Sequence, residues 1–210
     1  MWRYIKWVLR LLPIVIVGLF LHYTLPQHDI VRITNTYNKQ TVIGSNWLFY
    51  SSGDSGANTT TTSDTIRDIR YIDAVFPDGE SVMVYRNEDT GWIWPPYFKY
   101  DSSTLQAEAT NLKSEKTAPE WVSVTHYGWR MPIFSIFPNA VSVTPVADPN
   151  VTLIPWVNIV ILTFMAFLIF MVRRMWLQFR ERMVDPAVAE VEEAGDRAKG
   201  WFGKLFGRKT

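Results

Sequence analysis

The sequence predicts a membrane protein in which two transmembrane α-helices flank a small strand-rich α+β extracytoplasmic domain. Three observations predict it. Two apolar runs lie near the chain ends, a polar and turn-punctuated stretch of about 120 residues separates them, and Lys and Arg crowd the outer flank of each run. The chain has 210 residues, a net charge of +1 and no cysteine, so disulfide scaffolds, thiol catalysis and thiolate metal sites are excluded together. Ten Trp, nine Tyr and twelve Phe are left to supply the packing.

Residues 1–6 read as a cytoplasmic N-terminus and residues 7–25 as the first transmembrane helix. Arg3, Lys6 and Arg10 precede an uninterrupted apolar stretch from Leu11 to Leu21. No small-x-small cleavage site follows it, which points to a retained anchor rather than a removed signal peptide, with Arg10 snorkelling to the headgroups. Residues 151–172 read as the second helix, about 22 residues without a charge where roughly 20 suffice to cross the hydrocarbon core. Pro155 is expected in its first turn, and Asn158 is its one polar side chain at some depth.

Charge sets the orientation. The first ten residues hold three Lys+Arg and no acid, residues 173–210 hold nine Lys+Arg against six Asp+Glu, and the remainder holds nine against fourteen. The excess of Lys and Arg beside the spans places both termini in the cytoplasm and the central domain outside, which in a bacterium is the periplasm.

Residues 26–150 read as a periplasmic β-rich domain with one helix. Residues 30–34 alternate as a strand directly after the first helix. Residues 66–75 and 81–86 form a hairpin around Pro77-Asp78-Gly79, a strong turn signal. Residues 121–127 and 140–146 supply two more strands. A helix over Ser103–Lys113 is expected from a capping-box spacing of Ser103 with Gln106, with Leu105, Ala109 and Leu112 on one face to pack on the sheet. Residues 51–65 are a low-complexity polar loop.

The densest chemistry lies at residues 85–100, where Arg86, Glu88 and Asp89 run into six aromatics around a Pro-Pro pair. Arg86, Trp92, Trp94, Tyr97, His126 and Arg130 are the candidate ligand or partner contacts, because an aromatic groove beside cations suits a sugar, a quinone headgroup or a Pro-rich peptide. The competing reading makes these aromatics core or membrane-surface residues and the charges solvated ions. His22, His28 and His126 are the only histidines and show no metal-ligand spacing. No hydrolase, phosphate-loop or dinucleotide motif appears, so no enzymatic activity, metal or cofactor is expected.

Residues 173–210 read as a cytoplasmic amphipathic tail. Val184, Val188, Val191, Ala194, Ala198, Trp201 and Leu205 recur at intervals of three or four, although four glycines weaken the helix. Trp201, Phe202, Lys204 and Phe206 are the expected membrane-surface contacts, aromatics entering the headgroup boundary while basic residues meet anionic lipid.

Three stretches taken together, Leu-His-Tyr-Thr-Leu-Pro-Gln-His-Asp-Ile-Val-Arg-Ile (21–33), Val-Tyr-Arg-Asn-Glu-Asp-Thr-Gly-Trp-Ile-Trp-Pro-Pro-Tyr-Phe-Lys (84–99) and His-Tyr-Gly-Trp-Arg-Met-Pro-Ile-Phe-Ser-Ile-Phe-Pro-Asn-Ala (126–140), resemble an uncharacterised alphaproteobacterial inner-membrane family, a domain of unknown function. The resemblance implies a bacterial inner-membrane location and no activity, ligand or catalytic residue. The expected function is a non-catalytic accessory, scaffold or assembly component of an inner-membrane protein complex. Its partners would be the lipid bilayer and other membrane proteins, not nucleic acid. The alternative is a periplasmic ligand-binding or sensing module using residues 85–100.

Overall fold

The computed structural model describes residues 2–42, 49–50, 66–90 and 99–206; for Trp2, Arg3, Ile66, Asp196 and residues 198–206 it describes the backbone alone. The loop at 51–65 expected from its composition lies outside these residues. Two units divide the chain, Met1–Pro155 and Trp156–Thr210.

The first unit opens with α1, Trp2–Thr24, which carries Pro13 inside it. Its 23 residues are about 35 Å long at helical rise, and apolar side chains from Val8 to Phe20 stand about half-exposed along it. Only Leu25 and Pro26 separate it from β1, Gln27–Val42. There follow β2 (Ile66–Val75), β3 (Val82–Asn87), α2 (Ser102–Asn111), β4 (Trp121–Tyr127) and β5 (Asn139–Val146).

These strands close into a barrel of order β1-β2-β3-β5-β4. β1 makes closure feasible because it serves two partners: Gln27–Val31 pairs with β4, and Arg32–Val42 pairs with β2. A register shift between Ile33 and Asn35 divides the two halves, and such a bulge bends and twists a strand as a barrel corner requires. The expected hairpin is present, with β2 and β3 antiparallel around a turn in which Gly79 has φ 74°. Asp78 Oδ1 accepts from the Glu80 and Ser81 amides at 3.0 and 2.9 Å, the Asx-type bonds that make this tripeptide a turn signal.

The last seam is the shortest. β3 and β5 run parallel and share one register pair, Arg86 with Asn139, the Arg86 amide donating to Pro138 O at 2.9 Å. The Asn139 side chain extends that seam like a strand residue: its Oδ1 accepts from the Glu88 amide at 2.9 Å and its Nδ2 donates to Glu88 O at 3.1 Å. Nδ2 also donates to Tyr127 Oη at 2.9 Å, so this wholly buried amide is fully satisfied. Asn139→Asp replaces the donor with a second acceptor facing Glu88 O and is expected to cost about 1–3 kcal/mol, read as a lower unfolding midpoint, whereas Asn139→Ser costs less.

Alternation fixes what lies inside. Val31, Ile33, Ile72, Ala74, Tyr85, Val122, Val124, Ala140 and Val143 form one core, and Leu105 and Ala109 of α2 join it. The helix stripe read from the sequence therefore packs as expected, but against one end of a closed barrel rather than on an open sheet. Its cap differs as well. Asp101, not Ser103, accepts from the Thr104 amide at 3.0 Å, and Asp89 takes the Ser102 amide at 2.8 Å, so two carboxylates face the positive end of the helix. A closed five-stranded barrel with a parallel β3–β5 seam and a helix between the third and fourth strands has the connectivity of an OB-type barrel.

The second unit is helical. α3 spans Trp156–Phe179, so Pro155 precedes the helix instead of sitting in its first turn. A wide, π-type turn over Arg180–Val184 leads into α4, Asp185–Phe206. Pro186 explains the widening, since its ring would clash with the carbonyl four residues back in an ordinary helix, and the Asp185 amide bonds five residues back to Arg180 O. The tail helix forms through Gly195, Gly200 and Gly203, despite the low helix propensity of glycine.

Candidate binding site at the helix-proximal mouth of the barrel

α2 closes one end of the barrel, and α1 arrives at the other. At that second mouth the inward face of β1 continues from Ile33 and Val31 to Asp29, that of β3 from Tyr85 to Met83, and that of β4 from Val124 to His126. Two polar side chains thus stand where the core pattern would place apolar ones. His126, only 4% exposed, sets Nε2 2.9 Å from Asp29 Oδ2, and the fully buried Tyr85 donates its hydroxyl to the same oxygen at 2.6 Å. Burial pushes the Asp29 carboxyl up, but the bonds from His126 and Tyr85 outweigh it and hold the group below the usual carboxylate range. Tyr85 is pushed up by burial and by the Asp29 charge.

A cleft of about 450 Å³ opens above this triad. His22 and Gln27 from the α1–β1 junction, Phe76 from the hairpin turn, and Trp129 and Arg130 from the β4–β5 loop line it with Asp29 and His126. The wall is braced. The Trp129 indole donates to His22 Nδ1 at 2.8 Å, and Arg130 donates to Ile136 O at 3.0 Å with its guanidinium 4.2 Å from the Phe137 ring centre. Apolar walls with a few convergent donors and acceptors suit a small polar ligand.

Arg86 lies elsewhere, on the outward face of β3. It is 1% exposed, which corrects the reading of the 85–100 charges as solvated ions. Its Nη1 lies 3.2 Å from Glu88 Oε2, and its guanidinium stands 4.7 Å from the Tyr50 ring centre. Tyr50, Ile69 and Tyr71 form a second apolar cluster there, with Tyr37, Phe49, Val84 and Phe137 packed against it. OB-type barrels present the face of β2 and β3 to oligonucleotides and oligosaccharides. Here the chain's own aromatics cover it.

Arg86, Glu88 and Asp89 of the 85–100 segment and the candidate contacts His126 and Arg130 are therefore divided among three places. Asp89 belongs to the α2 cap, Arg86 and Glu88 to the aromatic face, and His126 and Arg130 to the cleft. Trp92, Trp94 and Tyr97 lie outside the described residues. The ends of their segment are pinned: the Thr90 amide donates to Lys99 O at 3.0 Å and the Lys99 amide to Thr90 Oγ1 at 3.1 Å. For Trp201, Phe202, Lys204 and Phe206 the helical backbone is described and the side chains are not. Among the described residues no group of three His, Asp or Glu side chains forms a candidate metal site.

Sequence reasoning missed Asp29, Tyr85, Lys99 and Asn139. Asp29 carried a usable signal, being two residues before Val31 on the alternating apolar face. Lys99 carried none. Its ammonium donates to Asn87 Oδ1 and to Ala140 O, the latter at 2.6 Å, and burial pulls its pKa from 10.5 down to about 7. The unfolded chain holds that proton up to about 10.5, so the contribution of Lys99 to stability is present above 10.5 and lost as pH falls toward 7. Tyrosines act in the opposite sense. Burial pushes Tyr50 up to about 12, so its contribution is full below 10.0 and lost as pH rises through 12, and burial raises Tyr71, Tyr85 and Tyr127 in the same direction. The unfolding midpoint is expected to rise from pH 7 toward pH 10 and fall beyond it, and Lys99→Met should flatten the rising limb.

Comparison with known proteins adds a lineage. The model of a family described as "Protein of unknown function (DUF1523)" matches residues 2–180, from the start of α1 to the end of α3. A Haemophilus influenzae relative, described as an uncharacterized protein, is 33% identical over 158 residues, covering 74% of this chain and 83% of its own. No solved structure matches.

Proposed function

The chain belongs to the DUF1523 family of proteins of unknown function, and from its own geometry we propose that it is a non-catalytic accessory or scaffold component of an inner-membrane protein complex. The observation that carries this reading is the rigid mount of the barrel. α1 does not hand over to a linker: Leu25 still bonds back to Leu21 O, and β1 begins two residues later. The Gly128 amide donates to Tyr23 O at 2.9 Å, and Tyr23, 5% exposed, packs edge-on against Trp129 and Tyr127. Gly128 has φ 91°, a conformation few other residues adopt, so the junction depends on it. A helix fused this way holds one face of the barrel at a fixed angle, which suits docking onto neighbours in the same membrane.

Membrane insertion is part of the proposal. α1 and α3 are each long and apolar enough to cross a bilayer, and their apolar stretches are not buried by the rest of the chain. The Lys and Arg excess beside their outer ends orients both termini to the cytoplasm. α4 would then lie along the inner surface, with Trp201, Phe202 and Phe206 at the headgroup boundary and Lys204 toward anionic lipid. Indifference of a peptide of residues 184–210 to anionic vesicles in cosedimentation would count against that placement.

The test of the scaffold reading is gentle detergent extraction of the tagged full-length chain followed by pull-down. Stoichiometric membrane partners are expected; repeated recovery as a lone monomer would contradict it. A second reading, a ligand-binding or sensing module, draws on the cleft, where His126 and Arg130 meet beside the Asp29–Tyr85 pair. It predicts ligand-dependent thermal stabilisation of the full chain that His126→Ala or Arg130→Ala abolishes without unfolding it. Loss of that response with Trp92→Ala or Trp94→Ala would extend the site to residues 85–100.

A further inference from the structure

The β4–β5 connection ends in an apolar point. After Trp129 and Arg130 the chain forms a small hairpin in which Met131 and Ile136 exchange backbone bonds at 3.0 and 3.1 Å, and Ser135, at φ 53°, bonds its amide to Pro132 O. Ile133 at its tip is 91% exposed and Phe134 57% exposed. Isolated apolar residues on a surface need no explanation, but here two neighbours are held out on a braced turn beside a helix that reads as a membrane span.

Topology sets where this tip lies. β1 leads away from the end of α1, and β4 is antiparallel to it with His126 opposite Gln27, so the chain leaving β4 heads back toward α1. Contacts agree: the Gly128 amide reaches Tyr23 O, and the Trp129 indole reaches His22 Nδ1. Ile133 lies five residue steps beyond Gly128, whose amide bonds Tyr23 O, which bounds the tip to about 20 Å from the last turn of α1. Trp and Arg immediately before the tip are the side chains that favour the headgroup layer, one for its amphipathic ring and one for its snorkelling stem.

We infer that the Ile133–Phe134 hairpin tip inserts into the interfacial layer of the same bilayer that α1 crosses, giving the barrel a second contact with the lipid surface. This rests on the reading of α1 as a transmembrane helix. The tip adds a lipid contact that opposes tilting of the barrel and α1 together in the bilayer.

The absence of cysteine gives a clean experiment on the full-length chain. Ile133→Cys, Val15→Cys in α1 and Val42→Cys at the far end of β1, each at an exposed position, carry an environment-sensitive fluorophore in vesicles of phosphatidylethanolamine and phosphatidylglycerol. The quenchers are nitroxide lipids labelled at a shallow and at a deep acyl position, the shallow one to reach an interfacial tip and the deep one to reach Val15 near the middle of the span. The expected result is that Val15 and Ile133 labels lose most of their emission and shift to shorter wavelength while the Val42 label does neither. Quenching at Val15 with Ile133 behaving like Val42 overturns the inference and leaves the helix reading intact. No quenching at Val15 removes the helix reading and the inference with it. An Ile133 label that is blue-shifted yet unquenched means that a protein surface covers the tip, which also overturns the inference.

Discussion

Arg86→Met is expected to destabilise the full-length chain in mild detergent by about 3–5 kcal/mol, read by denaturant unfolding followed through tryptophan fluorescence. The guanidinium is 1% exposed, and the Glu88 side chain opposite it is 9% exposed. Removing one member of such a pair leaves the other charge in a low-dielectric setting without its counterion, which costs more than the pair itself contributes. Arg86→Met combined with Glu88→Gln should therefore recover a substantial part of the loss. Because Tyr23 of α1 packs edge-on against Phe49 and Tyr127 beside the same cluster, the single variant should also loosen the helix junction and increase proteolysis near Leu25. A loss below about 1 kcal/mol would mean that this face is open to water, as ordinary surface pairs are.

Leu105→Ala is the second large effect, about 2–5 kcal/mol in the same assay. Leu105 is 4% exposed and enters the core from α2 with Ala109, so truncation leaves a cavity at the closed end of the barrel that rigid strands cannot collapse around. Glu108→Ala, on the exposed side of the same helix, is expected to stay within about 0.5 kcal/mol. Equal effects at the two positions would mean that α2 does not seal the barrel.

The elements that could be read from sequence are those whose pattern is local. The β2–β3 hairpin was visible because Asp78 and Gly79 supply their own turn chemistry, and α2 because Leu105 and Ala109 recur on one face. β4 and β5 each carry a central Val-Ser-Val-Thr run, a local strand signal. Closure was not visible. Beyond Thr34 much of β1 is exposed, so no alternation marks it, and the backbone ladder to β2 is what holds it. Asp29 and His126 meet only through the β1–β4 register, and Asn139 acts on a seam defined by strands distant in sequence. Arg86 was misjudged for a related reason: its burial comes from Tyr50 and from the cluster around it, contributed by other segments. Ser103 was a plausible cap by spacing, but Asp101 and Asp89 reach the helix end first, and an ionised acceptor is the stronger partner for those amides.

The central claim is that two spanning helices hold the barrel on the side of the membrane opposite both basic ends, and single-cysteine labelling tests it most directly. Val82→Cys places a thiol at a 71% exposed site on the barrel, and Val191→Cys places one at a 72% exposed site in α4, each in an otherwise cysteine-free chain. Cells with a permeabilised outer membrane are treated with a membrane-impermeant maleimide before and after lysis. The account predicts labelling at Val82 before lysis and at Val191 only after it; labelling at Val191 in intact cells, or protection of Val82 until lysis, would contradict it.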